Sequence, residues 1–563
     1  MSIDIETYRL KAQEAIEYVF VKEYHNSLGI PMPIVKMLLP DDANYSTGQY
    51  YITIDKTWQI HLNFGKLPIS YHEFQNEVKV LTRHEIEHYM CCPFDVITHF
   101  RMLKRIRDVY YKHFSHLGIN IEYACGAISN QAADIIVDTK NYYRHSKETL
   151  KSEIDWIKIG ANISACPRHC KLMFLTKEAI WKEDLGINET DPEFLKIVHQ
   201  LADSFTKNGI EDKSSFLDKV EEYAEIFFKL YVEDQKNPQQ SSQQGSQQQS
   251  GQQGPQQQSG QWGVGRPKDG DEHGNAFVFA DPDKVKEAIE VLAEETSVEE
   301  FIDLLAIAGI IGMSDKQKGV LWFNVQSANI IPIVEFSNTG NKSSYTYPSV
   351  WRIGDPIEEL DLMLTYMTSP RLIPGMTTKK WGYVSNDDNG TESKQMDLLL
   401  VVDTSGSMGS AMKESANMHQ AVLASYGILS YFESTKSKVA FIGFSDKIDA
   451  YVDWSDKYDD VRERLLTNGH GGTKFPISRI KSTLDVRSRD LVTVLITNGD
   501  LGNINESVSY FRDYLNDDNK LYIFLLGGSK SLHSYEPLKN IGAKIYNANN
   551  ANEFCDMVLT DME

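Results

Sequence analysis

The stretch Leu398-Leu399-Leu400-Val401-Val402-Asp403-Thr404-Ser405-Gly406-Ser407 decides the fold of the C-terminal part of this chain. Five apolar residues in a row, without polar alternation, describe a strand buried on both faces. The run ends in a carboxylate, hydroxyls and a glycine. Similar apolar runs follow at 438–444, 491–497 and 521–526, alternating with helical patterns through Phe432 and near 506–515. Short apolar strands separated by helices form a parallel sheet covered on both sides, so 394–563 reads as a doubly wound, Rossmann-like α/β domain.

In such sheets ligands bind at the carboxyl ends of strands. Asp403, Ser405 and Ser407 stand at one of these ends, and Gly471-Gly472-Thr473 can bring a third hydroxyl to them. One carboxylate and several hydroxyls suit a hard cation, Mg²⁺ or else Mn²⁺ or Ca²⁺. A further loop, Thr497-Asn498-Gly499-Asp500, follows another strand. These residues resemble the metal-ion-dependent adhesion site of von Willebrand factor A (VWA) domains, over a span from Met396 to the C-terminus. The resemblance implies that Asp403, Ser405, Ser407 and Thr473 ligate the ion and leave one position for a carboxylate of a partner protein. The chain departs from that pattern at Asn498, where the family usually has aspartate. A neutral amide can still hold a bound water, and Asp500 is a further candidate two residues on. Ser405 and Ser407 are set aside as nucleophiles because no histidine stands near them in the sequence.

Working outward, residues 239–261 contain only Gln, Ser, Gly and one Pro. Such a segment has nothing to bury and cannot offset its ordering entropy, so 237–275 is expected to be a disordered linker. Between it and the α/β domain, 276–393 reads as a helical and irregular connecting segment. Its helical part spans 281–311, with Asp281-Pro282 as cap and first turn.

The N-terminal part, 1–236, mixes both element types. Helical spacing runs over 4–24 and 72–90, with further helices at 96–114, 123–143, 192–208 and 214–234, and alternation at 50–54 and 58–62 reads as paired strands. Within the second helix lies His84-Glu85-Ile86-Glu87-His88. Residues four apart share a helical face, so His84 and His88 can offer two imidazoles to one zinc ion. Glu85 is offset by one residue, beside the remaining coordination position, where it can act as the general base. The strand ending near Phe64, about 20 residues upstream, would be the edge that pairs with an extended substrate. Downstream, Asp134 and Asp138 share a face of an apolar helix. Asp134 is the expected third ligand, and Asp138 is the alternative or a group that orients a histidine.

This combination resembles a zinc metallopeptidase domain, zincin-like and α+β, fused to a C-terminal VWA domain. The resemblance rests on the His84–His88 helix, its leading strand, Ala132-Ala133-Asp134 with Asp138, and the proline-rich steps of 370–381. It implies a protein substrate and a partner, an AAA+ ATPase of the MoxR type. No G-x-x-x-x-G-K-[ST] pattern occurs in this chain, so ATP-driven work must come from another one. The alternative is a non-catalytic adaptor of an AAA+, chelatase-like complex with a structural zinc helix. Hydrolysis of a non-peptide amide is a third reading.

Composition narrows the field. A length of 563 residues allows roughly three or four domains. A net charge of −22 argues against a nucleic-acid partner, which wants a basic footprint. The longest apolar stretches, 301–313 and 396–402, fall short of the roughly 20 residues that cross a bilayer. No secretory signal opens the chain, and six cysteines do not make a disulfide scaffold, so a cytoplasmic protein is expected. Cys166-Pro167-Arg168-His169-Cys170 has no matching second pair and reads as plain thiols, and Cys91-Cys92 reads as packing. His99, His113 and His116 are taken as helix-surface residues.

Overall fold

Ser70 begins the helix that carries the paired histidines: its hydroxyl accepts the Glu73 N–H at 3.2 Å, so that α2 runs over Tyr71–Met90. A computed structural model describes residues 5–42, 50–54, 59–64, 70–159, 163–236, 282–310, 313–328, 349–351, 360–361, 379–380, 396–487, 491–499, 501, 503–517, 519–526 and 532–548. It divides into two units, Met1–Thr296 with Glu300–Gly312, and Ser297–Glu299 with Met313–Glu563.

In the first unit α1, Ile5–Glu17, precedes three strands: β1, Ile34–Met37; β2, Tyr50–Ile54; and β3, Gln59–Phe64. Their order is β1-β3-β2. β3 pairs in parallel with β1 (Val35 opposite Ile60) and antiparallel with β2 (Ile52 opposite Leu62). The leading strand is therefore central, which corrects the expectation of an edge strand ending near Phe64. Ile34–Met37 alternates exposed and half-buried residues, but with apolar Ile34 and Val35 adjoining it escapes the sequence pattern, and it takes up the open side of β3. Ile60 and Leu62 point into a core with Ala12, Ile16 and Val19 of the N-terminal helical run and Phe74 and Val78 of α2.

The other helices are α3, Val96–Val109; α4, Ile121–Ile159, which kinks at His145 (φ −136°, ψ 47°); α5, Arg168–Trp181; α6, Pro192–Thr206; and α7, Phe216–Lys236. α8, Pro282–Glu295, and α9, Val298–Ile307, follow. Arg101 of α3 pairs with Glu295, and Arg107 reaches Asp303 at 2.8 Å. Residues 282–296 and 300–310 thus belong with the first unit, whereas the sequence pattern groups them with a connecting segment over 276–393. The linker at 237–275 lies outside the described residues, as do 370–378 of the proline-rich steps.

The second unit opens with α10, Asp315–Ala328, and is built on a six-stranded, mostly parallel sheet. Its strands are β4, Asp397–Asp403; β5, Val439–Phe444; β6, Ile448–Ser455; β7, Leu491–Thr497; β8, Lys520–Leu526; and β9, Lys544–Ala548. The order is β9-β8-β7-β4-β5-β6, with only β6 antiparallel. One face buries Leu399, Val401, Ile442, Leu495 and Ile523 against Ile480, Phe511 and Leu538. α11, Asn417–Ser434, lies against β4 and packs Tyr426 on Phe323 of α10. The chain leaves β4 toward β5 on one side and later returns to β7 on the other. The order reverses between β4 and β7, and in open α/β sheets ligands bind at the carboxyl ends of strands at such a reversal. No helix among the described residues is long and apolar enough to cross a membrane.

Candidate metal centres

α2 and α4 lie side by side. The four-residue spacing on α2 turns both imidazoles to α4, where Asp134 meets them. His84 Nε2 lies 3.1 Å from His88 Nε2, and Asp134 Oδ1 lies 3.5 Å from the first and 3.3 Å from the second. Three atoms each about 2.0–2.1 Å from one tetrahedral ion stand about 3.3–3.4 Å apart. The three edges bracket that value. His84 and His88 are buried, at 5% and 1% exposure.

Each group is also held from behind. His84 Nδ1 donates to Asp138 Oδ1 at 2.6 Å, and His88 Nδ1 donates to the Cys92 carbonyl at 2.8 Å. With Nδ1–H so engaged, a neutral ring turns its Nε2 lone pair toward the centre. Asp134 Oδ2 accepts from the Asn130 amide at 3.1 Å, while Oδ1 is buried and meets no donor in hydrogen-bonding geometry. Three acceptor atoms thus face one another, an arrangement that a shared cation neutralises. Burial alone would raise the Asp134 carboxyl; the imidazoles of His88 and His84 reverse the sign and keep it below its usual range. Burial pushes Asp138 the same way, and the Lys177 ammonium and His84 hold it far below. The donor set of two imidazoles and a carboxylate fits zinc.

Glu85 is 8% exposed, and its side chain forms no hydrogen bond or ion pair with any described residue. Its neighbour Glu87 behaves otherwise. Fully buried, it receives Lys140 at 2.9 Å, Arg144 at 2.8 Å and the Tyr24 hydroxyl at 3.0 Å. Of the two glutamates in the motif, Glu87 is held by ion pairs and a hydrogen bond, whereas Glu85 bonds to no described residue.

The residues behind the ligands escape the sequence pattern. Cys92 has a buried thiol, as expected of packing, but its carbonyl orients His88. Lys177 is buried between Asp138 and Glu153, at 2.5 and 3.0 Å. The usable signal is the spacing Phe174, Lys177, Trp181, which puts a lysine on the buried face of α5. Cys166, just before α5, and Cys170, in its first turn, form no disulfide, and burial pushes Cys170 up to about 12. His99 is buried in α3 rather than on its surface; His113 and His116 are exposed.

The second candidate lies where β4 and β7 end. Asp403 is fully buried; its Oδ1 accepts the Ser405 N–H at 2.9 Å and its Oδ2 the Thr497 hydroxyl at 2.7 Å. Ser405 Oγ and Ser407 Oγ are 3.2 Å apart, and Ser407 Oγ donates to Asn498 Oδ1 at 3.1 Å. Asn498 returns a bond from Nδ2 to the Ser407 carbonyl at 2.8 Å. The Gly471 carbonyl accepts the Gly406 N–H at 3.3 Å, joining the 471–473 loop to the 403–407 loop. Gly471 has φ +109°, and a Cβ there would meet the Asp446 carboxylate at 3.0 Å, so the approach requires glycine. Thr473 is half-buried two residues on, and its hydroxyl bonds to no described residue. Asp500 lies outside the described residues.

No protein-family model matches the chain, and no curated protein does. Among solved structures, the chain is similar to the conserved hypothetical protein BatB from Bacteroides thetaiotaomicron. The match has 12% identity and a TM-score of 0.26, and it covers 30% of this chain and 97% of that one.

Proposed function

We propose that the chain is a zinc-dependent metallopeptidase of the HExxH type, with a zincin-like first unit and a VWA-type second unit that docks a protein partner through Mg²⁺. One observation carries the reading: His84 Nε2, His88 Nε2 and Asp134 Oδ1 converge with edges of 3.1, 3.5 and 3.3 Å while both Nδ1 atoms are engaged elsewhere. When bound there, zinc supplies Lewis acidity toward a scissile carbonyl and acidifies water. His84, His88 and Asp134 hold it. Glu85, a buried carboxylate without a partner among the described residues, takes a proton from the attacking water and passes it to the leaving nitrogen.

For the second unit, support comes from the strand order, the single antiparallel edge strand and Asp403 at the reversal point between β4 and β7. Asp403, Ser405, Ser407 and Thr473 are the proposed Mg²⁺ ligands, with Asn498 or Asp500 acting through water. The resemblance in sequence supplies the partner, a MoxR-type AAA+ ATPase that delivers protein substrates; the low cysteine usage suits a cytoplasmic setting.

Glu85→Gln tests the enzyme. Cleavage of an unfolded protein such as casein, with the ATPase present, should fall by more than about 100-fold while zinc stays near one per chain. Equal cleavage by the variant removes Glu85 from the chemistry. Zinc-loaded wild-type protein that cuts nothing, alone or with its ATPase, would instead favour the adaptor reading.

A further inference from the structure

Asp134 and Asp138 stand one turn apart on α4, with side-chain exposures of 15% and 11%. Both approach His84, Asp134 Oδ1 at 3.5 Å from Nε2 and Asp138 Oδ1 at 2.6 Å from Nδ1. Their other oxygens distinguish them. Asp134 Oδ2 takes a neutral amide from Asn130 at 3.1 Å, whereas Asp138 Oδ2 takes the Lys177 ammonium at 2.5 Å.

Lys177 is among the largest fully buried side chains of the protein, and Glu153 Oε1 holds its Nζ a second time at 3.0 Å. A buried ammonium is tolerated only where carboxylates surround it, so its position is fixed by both. Asp138 then has one oxygen on an imidazole N–H and the other on a buried cation. Turning Oδ2 toward a metal would leave that cation underpaired, and turning Oδ1 would unpair the imidazole N–H, costs that Asp134 does not face.

We propose that Lys177 is a positioning residue that selects Asp134 over Asp138 as the third metal ligand and, through Asp138, fixes the His84 ring. The inference rests on the reading of His84, His88 and Asp134 as a metal centre. It differs from simple structural support in predicting a gain. Once Lys177 is gone, Asp138 becomes free to ligate.

The test uses the full-length chain with Co²⁺ and Zn²⁺ as probes and excess Mg²⁺ to occupy the strand-end loops. Lys177→Met should weaken binding by about 10–100-fold and change the visible Co²⁺ spectrum, while Lys177→Arg restores most of both. In an Asp134→Asn background the sign reverses. Adding Lys177→Met should strengthen Co²⁺ binding relative to Asp134→Asn alone, because Asp138 takes over. Further weakening, or no change, in that background overturns the selection role. Should Lys177→Met fail to fold by circular dichroism, Glu153→Gln, which loosens one of the two holds, should shift the Co²⁺ spectrum, and an unchanged spectrum overturns the inference. Wild-type protein that takes up neither ion, just as His84→Ala does, overturns the metal centre itself. Wild-type binding that Lys177→Met leaves unaltered overturns only the role of Lys177.

Discussion

On α2 and α4, three acceptor atoms face one another and each ligand is gripped from behind by Asp138, Cys92 or Asn130. At the ends of β4 and β7, Ser405, Ser407 and Asn498 bond to one another instead. The difference lies in where the hydrogens are. Hydroxyls and an amide carry their own donors, so the strand-end loops satisfy themselves. Two Nε2 lone pairs and a carboxylate oxygen cannot, and their close approach requires a positive charge among them. A site of the first kind should depend on its cation for stability; a site of the second kind should exchange its ion freely, as the proposed reversible docking would require.

The largest effect that would break this contrast is removal of an imidazole. His84→Ala should lower Zn²⁺ affinity by more than about 100-fold, beyond the range for groups that only orient a ligand, as read by metal content after gel filtration. Near-stoichiometric zinc in that variant would mean that the three atoms do not share an ion. Next comes the ion itself. Zinc at 100 times its dissociation constant stabilises the folded state by about 2.7 kcal/mol. Stripping it with a strong chelator should shift the first unit's melting transition down by several degrees. Withdrawing Mg²⁺ should barely move the transition of the second unit. Equal sensitivity of both transitions would erase the distinction.

The sequence carries the proposed ligands better than their supports, for a physical reason. His84 and His88, and likewise Asp134 and Asp138, are related by the fixed geometry of one helix, so spacing alone places each pair on a face. Asp403 follows from a run of apolar residues that can only be a buried strand. Lys177, Glu153 and the Cys92 carbonyl reach the site through tertiary packing of α5 on α4 and through a backbone atom, which no periodicity encodes. The same limit explains β1. Ile34–Met37 is a strand because β3 offers an open side to it, a long-range fact. β6 and β9 are missed because edge strands mix polar with apolar residues; β6 runs exposed and half-buried along most of its length.

At the strand-end loops the effects are smaller. Asp403→Ala removes the acceptor for the buried Thr497 hydroxyl and the Ser405 N–H. That should cost about 1–3 kcal/mol, seen as a shift of the denaturation midpoint without a change of slope. The variant should also lose Mg²⁺-dependent capture of a purified MoxR-type ATPase. Undiminished capture would detach docking from this loop and leave Asp403 a purely structural residue.

Asn498→Asp is the finest probe, because it sets the two properties of the loop against each other. The amide now donates to the Ser407 carbonyl at 2.8 Å and accepts from the Ser407 hydroxyl at 3.1 Å. A carboxylate keeps the second bond and loses the first, so without Mg²⁺ the variant should be less stable by about 0.5–1.5 kcal/mol. With Mg²⁺ the added negative charge favours the ion, and the deficit should shrink or reverse as the concentration rises. A crossing of the two stability curves along a Mg²⁺ titration would mean that Asn498 trades ion affinity for a loop that holds its shape unaided. Parallel curves would place the ion, if it binds, away from Asn498, and the self-satisfied character of the site would then have nothing to do with metal exchange.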